Sequence, residues 1–241
     1  HVWIELPDGS HRYPFRAWHK PNYDHDVVLS ELSHVETFDE IGFIGRTEQG
    51  IGVAVIQGLP SNVDYERFME SMRRFREAPA WIIDLRANRG GAEPAAARIA
   101  GFFNGHRLKY ARTQVRSDDN AGGLREVEPR YLNPGDGDPF LNPVVCLTGP
   151  GCVSSGEGMA LMMKAMPHVA LIGQPTRGAS GNPRPITLSN GVRVWFSRWV
   201  SLELDGTPIE GRGVRPDELV PHQPGSDPAF ERAVKRLIER S

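Results

Sequence analysis

Four short apolar runs constrain this chain more than any other feature: IGVAVIQG (51–58), WIIDLR (81–86), PVVCLTG (143–149) and HVALIG (168–173). Each is too short for a helix and is bounded by turn or polar residues, so each reads as a buried strand. Between the first two, DYERFMESMRRFREA puts Phe68, Met72 and Phe75 at i, i+4 and i+7, an amphipathic helix with Asp64 as its N-cap. EPAAARIAGFF reads as a second helix with Pro94 in its first turn, and GEGMALMMKAM as a third whose methionines (159, 162, 163, 166) fill core. Strand, helix and strand in this order predict an α/β layered core with crossover connections. Past Gly178, ITLSNGVRVWFSRWV reads as a hairpin with Asn190-Gly191 as a type I′ turn. FERAVKRLIER then reads as a docking helix, with Phe230, Ala233, Val234, Leu237 and Ile238 on one face. Residues 106–142 read as a polar stretch, and 1–45 as irregular or short-strand structure leading into the core.

At 241 residues the chain has the length of one large domain. It starts at His1 rather than Met, from which we expect that an upstream segment has been removed. With 30 acidic against 28 basic residues it has no bulk field to attract nucleic acid or an anionic membrane. No apolar run approaches 18 residues, which argues against membrane insertion by a helix. Cys146 and Cys152 fit neither a zinc nor a CxxC redox motif; a disulfide between them is permitted but not demanded. The 26 glycines and 20 prolines exceed the average of about 12% and gather in loops.

Three loops that follow core strands could carry chemistry. Asn88-Arg89-Gly90-Gly91 is either a tight turn or a place where backbone approaches a ligand and amides hold an anion. Ser154 and Ser155 precede a helix, where a serine is either an N-cap or an exposed nucleophile beside a free amide. The surrounding residues do not form Gly-x-Ser-x-Gly. GQPTRGASGNP (173–183) lacks the lysine of a P-loop. The histidines of HKPNYDHD (19–26) with Asp24 and Asp26 have no helix or strand to fix metal geometry, so no metal site is expected.

In this order, DLRANRGG, SSGE, IGQPTRGASGNP and EGRGVRPDE resemble the tricorn and carboxyl-terminal (tail-specific) processing serine peptidases, over roughly residues 50–241. The resemblance implies a Clp-protease/crotonase-like layered core, here with the C-terminal β-hairpin and docking helix. Residues 1–45 would be a connector or the remnant of an upstream, PDZ-like domain, and 46–241 the catalytic core. It implies Ser154 as nucleophile, and Ser155 with Gly90 or Gly91 as the oxyanion-hole amides. The tail-specific branch carries its general-base lysine where this chain has Ala179, so a Ser–Lys dyad is excluded there. The tricorn branch uses a histidine base and a glutamate in E-x-x-G-x-x-P-D, a pattern that Glu210 through Asp217 fits. The base would then be an upstream histidine or His34 in the dipeptide Ser33-His34; His168 reads as a strand-edge residue.

The implied function is a serine endopeptidase or carboxyl-terminal processing peptidase. It would act on peptide or protein through an acyl-enzyme on Ser154, without a cofactor. The family implies a periplasmic or secreted location, and oligomeric state stays open. Two rivals share the fold: a non-catalytic relative binding a peptide or an apolar, retinoid-like ligand, and crotonase-type thioester chemistry. The last predicts a coenzyme A site, for which no basic pocket signature is present.

Overall fold

The computed structural model describes residues 4–5, 11–12, 22–117 and 123–239. Its elements begin with β1 (Ile4–Glu5), β2 (His11–Arg12), α1 (His25–Ser30), β3 (Ser33–Phe38), β4 (Gly42–Arg46), β5 (Gly52–Ile56) and α2 (Glu66–Arg74). They continue with β6 (Trp81–Asp84), α3 (Glu93–Gly101), β7 (Leu108–Arg116), β8 (Leu124–Leu132), β9 (Val144–Thr148), α4 (Ser155–Lys164) and β10 (Val169–Gly173). Last come β11 (Arg184–Thr187), β12 (Arg193–Phe196), β13 (Trp199–Leu202), β14 (Glu218–Leu219) and α5 (Pro228–Ile238).

The four apolar runs are the centre of a seven-stranded sheet of order β14-β10-β9-β6-β5-β4-β3. Strands β14, β10, β9, β6 and β5 are parallel; β4 and β3 add antiparallel pairs at one edge. These central strands are buried at nearly every position, and apolar at most, because both faces are covered. Trp81, Ile83, Val144 and Cys146 meet the methionines and alanines of α2, α3 and α4 on one face. Val53, Ile82, Val145 and Leu147 meet Val28 of α1 and Ala229, Phe230, Ala233 and Leu237 of α5 on the other. The fully buried Trp81 anchors the first face, its ring edge-on to Phe75, Phe102, Phe103 and Phe140. Truncating such a side chain costs about 3–5 kcal/mol.

Several expectations are corrected. A boundary near residue 45 falls inside β4, and α1, β3 and β4 belong to the core because β4 pairs along the whole of β5. The polar stretch 106–142 holds a long antiparallel pair, β7 and β8, which with β13 forms a separate sheet beside α3 and α4. The hairpin turn is not type I′. Only Gly191 has positive φ (84°), and Gly191 N–H donates to Leu188 O at 2.9 Å, so a three-residue loop closes it. Asp64 does accept from Glu66 N–H at 2.9 Å, although the helix starts one residue later than a cap at 64 requires. Cys146 and Cys152 are both buried free thiols, held above their ordinary pKa by burial and then by nearby carboxylates.

One ion network fastens the last helix to the sheet. Arg86, fully buried just past β6, donates Nε to Asp84 Oδ1 at 3.0 Å and Nη2 to Asp84 Oδ2 at 2.7 Å. It also donates to both oxygens of Asp227 (2.6 and 2.8 Å) and to Asn22 O at 2.9 Å. Asp227 is the N-cap of α5, accepting from Phe230 N–H at 3.1 Å. Burial alone would lower the arginine's pKa, but Asp84 and Asp227 overcome it and hold the charge above its ordinary value.

Candidate active site

Residues 85–91, 149–154 and 174–183 leave the carboxyl ends of β6, β9 and β10, neighbours in the sheet, so three loops distant in sequence converge. Ser154 stands at the N-cap of α4 with φ 59° and ψ −124°, a conformation that costs an L-residue about 1–3 kcal/mol. Its N–H is held by Ala179 O and by Glu157 Oε2, each at 3.2 Å. The neighbouring Ser155 differs in kind: its hydroxyl is committed to Gly91 O at 2.6 Å.

The two glycines also separate in role. Gly90 N–H donates to Asn88 Oδ1 at 2.9 Å, which occupies it. Among the described residues, no hydrogen bond engages the N–H of Gly91 or of Ser155, the first residue of α4. A Cβ at Gly90 would stand 2.7 Å from Ser154 Cβ and 3.3 Å from Ser154 Oγ, so the absent side chain is what lets the loop reach the serine. At Gly91, φ is 134° and a Cβ would meet Leu59 O at 2.0 Å, which only glycine tolerates.

Two buried side chains tie the loops together. Asn88 donates to Ile56 O at 2.9 Å while accepting from Gly90, fixing the glycine loop to the end of β5. Glu157, fully buried, accepts from Thr176 Oγ1 (2.6 Å), Gly178 N–H (2.6 Å), Ala179 N–H (2.8 Å) and Ser154 N–H. Burial raises its pKa, and these four donors oppose the rise. The fourth motif packs on the third loop: Val214 N–H donates to Thr176 Oγ1 at 2.7 Å and Gly211 N–H to Gly178 O at 2.8 Å.

Beside the serines lies a cavity of about 180 Å³ lined by Gly91, Glu93, Arg130, Ser154, Ser155, Ser180, Asn182 and Trp199. Glu210 is exposed and outside this lining; its Oε2 accepts from Ser180 N–H at 3.4 Å, and Ser180 Oγ donates to Ser154 O at 3.4 Å. His34 is not brought to the site. It lies on β3, four strand spacings from β9, or about 19 Å. The register Ser33–Arg46–Gly52–Trp81–Val144 also puts it at the end where the parallel strands begin, opposite the serine loop. A Ser-His dipeptide alone carried that expectation, and the sheet separates it from Ser154. No histidine or lysine lines the cavity among the described residues. Of the HKPNYDHD segment, His19 lies outside the described residues, and Asp24 caps α1.

A family model, peptidase family S41, matches residues 47–220. The chain belongs to peptidase family S41. As a member of that family it is a protease, a hydrolase whose substrates are peptides or proteins. A putative peptidase from Parabacteroides merdae ATCC 43184 superposes with a TM-score of 0.87 at 26% identity, over 99% of this chain and 78% of that one. The photosystem II D1 C-terminal processing protease gives 0.57 at 20% identity, over 86% of this chain and 50% of that one. The tricorn protease gives 0.52 at 21%, over 79% of this chain and 18% of that one. The S41 chain thus spans about half of the D1 protease and 66% of CPAF complexed with lactacystin, which it matches at a TM-score of 0.66. A search of curated proteins found no match. These likenesses establish the expected Clp-protease-like α/β fold. Among the described residues no helix is long and apolar enough to cross a membrane.

Sequence reasoning missed Glu93, Arg130 and Trp199, and the positioning roles of Asn88 and Glu157 within the loops it had singled out. Glu157 had a local signal, the S-x-x-E spacing of a capping box. Arg130 and Trp199 had none, since they reach the site from β8 and β13, strands not expected to border it.

Proposed function

We propose that this S41 chain is a serine peptidase, acting as an endopeptidase or carboxyl-terminal processing enzyme through an acyl-enzyme on Ser154. The observation that carries the reading is the pairing of a strained serine with two unengaged amides, Gly91 N–H and Ser155 N–H, at the head of a helix. Ser154 Oγ attacks the scissile carbonyl carbon as its proton passes to a base. The carbonyl oxygen becomes an oxyanion held by the two amides, an interaction worth about 3–4 kcal/mol per donor. Collapse expels the amine, which takes the proton back, and water then hydrolyses the ester by the reverse path.

Glu157 and Asn88 are positioning residues: one fixes the serine backbone, the other turns Gly90 aside so that Gly91 presents its amide. The resemblance to the tricorn branch implies a histidine as the base with Glu210 orienting it; no histidine lines the cavity among the described residues. The test is labelling of the full chain with a fluorophosphonate. Wild type and Ser155→Ala are expected to label and Ser154→Ala not; equal labelling of wild type and Ser154→Ala sinks the proposal. Tight peptide binding without labelling would instead favour the non-catalytic relative.

A further inference from the structure

Resting on that peptidase reading, the cavity beside Ser154 says what kind of substrate residue the site takes. At about 180 Å³ it is smaller than the roughly 300–1,000 Å³ of drug-sized pockets, and holds one side chain. Its wall offers Arg130, the Ser154 hydroxyl, the Asn182 amide and the N-terminus of α4 as donors, while the hydroxyls of Ser155 and Ser180 already donate to Gly91 O and Ser154 O. The one carboxylate in the lining, Glu93, is already engaged. Its Oε1 accepts from Tyr110 OH and pairs with Arg130 Nη2.

Arg130 is held by one carboxylate, Glu93, and by two aromatic faces. Its guanidinium lies 5.3 Å from the Tyr110 ring centre and 5.9 Å from that of Trp199. A guanidinium has five N–H donors, and among the described residues Glu93 is its one carboxylate partner. Aromatic faces orient a cation without using its N–H groups, so most of them remain for a ligand. Its side chain is 17% exposed, which leaves it reachable from the cavity yet largely shielded from water. Burial lowers its pKa to about 10, so the charge persists at neutral pH while being poorly solvated.

We infer that the cavity binds a carboxylate of the peptide substrate close to the scissile bond, with Arg130 as the specificity-determining residue. That carboxylate is an Asp or Glu side chain or the free C-terminus, and the two sources can be told apart. Internally quenched peptides differing as Glu or Gln beside the cleaved bond, each with a free or an amidated C-terminus, are compared by kcat/KM on wild-type enzyme. The same peptides are titrated against Ser154→Ala by fluorescence anisotropy. The carboxylate form is expected to be favoured about tenfold or more. Selectivity for Glu over Gln assigns the side chain, and selectivity for acid over amide assigns the terminus. Arg130→Gln should abolish the preference, whereas Glu93→Gln, which removes the competing carboxylate, should enlarge it; a misfolded variant cannot produce that gain. Equal use of all four peptides, or a preference that survives Arg130→Gln, overturns the inference. Selective binding to Ser154→Ala without turnover by wild type sinks the peptidase reading and leaves the pocket assignment standing.

Discussion

Arg86 and Arg130 are both largely buried, and the chain uses them in opposite ways. Arg86 is fully buried and donates to two carboxylates and a carbonyl at fixed distances, so its donors are nearly exhausted. Arg130 has one carboxylate and two aromatic faces in a wall that opens on a cavity. Both side chains suffer desolvation, but the two aspartates reverse it for Arg86 while Arg130's pKa stays lowered. A saturated arginine braces a fold, and an under-saturated one at a cavity is available to a ligand.

That contrast can be broken by experiment. Arg86→Ala strands Asp84 and Asp227 without their cation and is expected to cost about 3–5 kcal/mol, read from the denaturant midpoint. Glu157→Gln turns an acceptor into a donor facing other N–H groups; it should cost about 1–3 kcal/mol and lower kcat more than it raises KM. Arg130→Ala should cost only about 1 kcal/mol of stability while altering substrate selectivity. If it destabilises as much as Arg86→Ala, the division between brace and binding group is wrong.

The smallest expected effect concerns pH. His25 sits near the brace and accepts at Nδ1 from Gln57 Nε2 at 3.0 Å. Burial lowers its pKa below 6.5, with Asp84 and Asp227 opposing and Arg86 adding to the fall. The unfolded chain therefore takes up this proton first as pH drops through 6.5, and His25 should reduce stability on acidification. Unfolding followed at pH 7.5 and pH 5 should show a shallower slope for His25→Asn than for wild type. An unchanged slope would show that His25 does not report on the brace.

How far the sequence disclosed this molecule follows from where its signals are local. Strands β5, β6, β9 and β10 were legible because burial on both faces leaves continuous apolar runs, and the helices between them carry clear spacing. The four glycine-rich loops were legible as a set, and their order pointed to Ser154, Ser155 and the Gly90-Gly91 pair. Strands β7 and β8 were not, since they are half exposed and mix charged with apolar residues, as in LKYARTQVR with Tyr110, Ala111 and Thr113 buried. The site's far wall was hidden with them. Which glycine amide is free depends on Asn88 Oδ1, a hydrogen bond that the motif itself does not encode. His34 shows the converse: a dipeptide can match while the sheet carries it to the opposite end.

The Arg86–Asp227 pair has a consequence for the order of events on the ribosome. The two residues are 141 positions apart, and at about 5–20 residues per second the second emerges on the order of 10 s after the first. Until then the arginine at the end of β6 has Asp84 but lacks its second carboxylate, and burying it would be costly. The first half of the sheet should therefore stay open during synthesis, and the arrival of α5 with its Asp227 cap completes the network that lets Arg86 be buried.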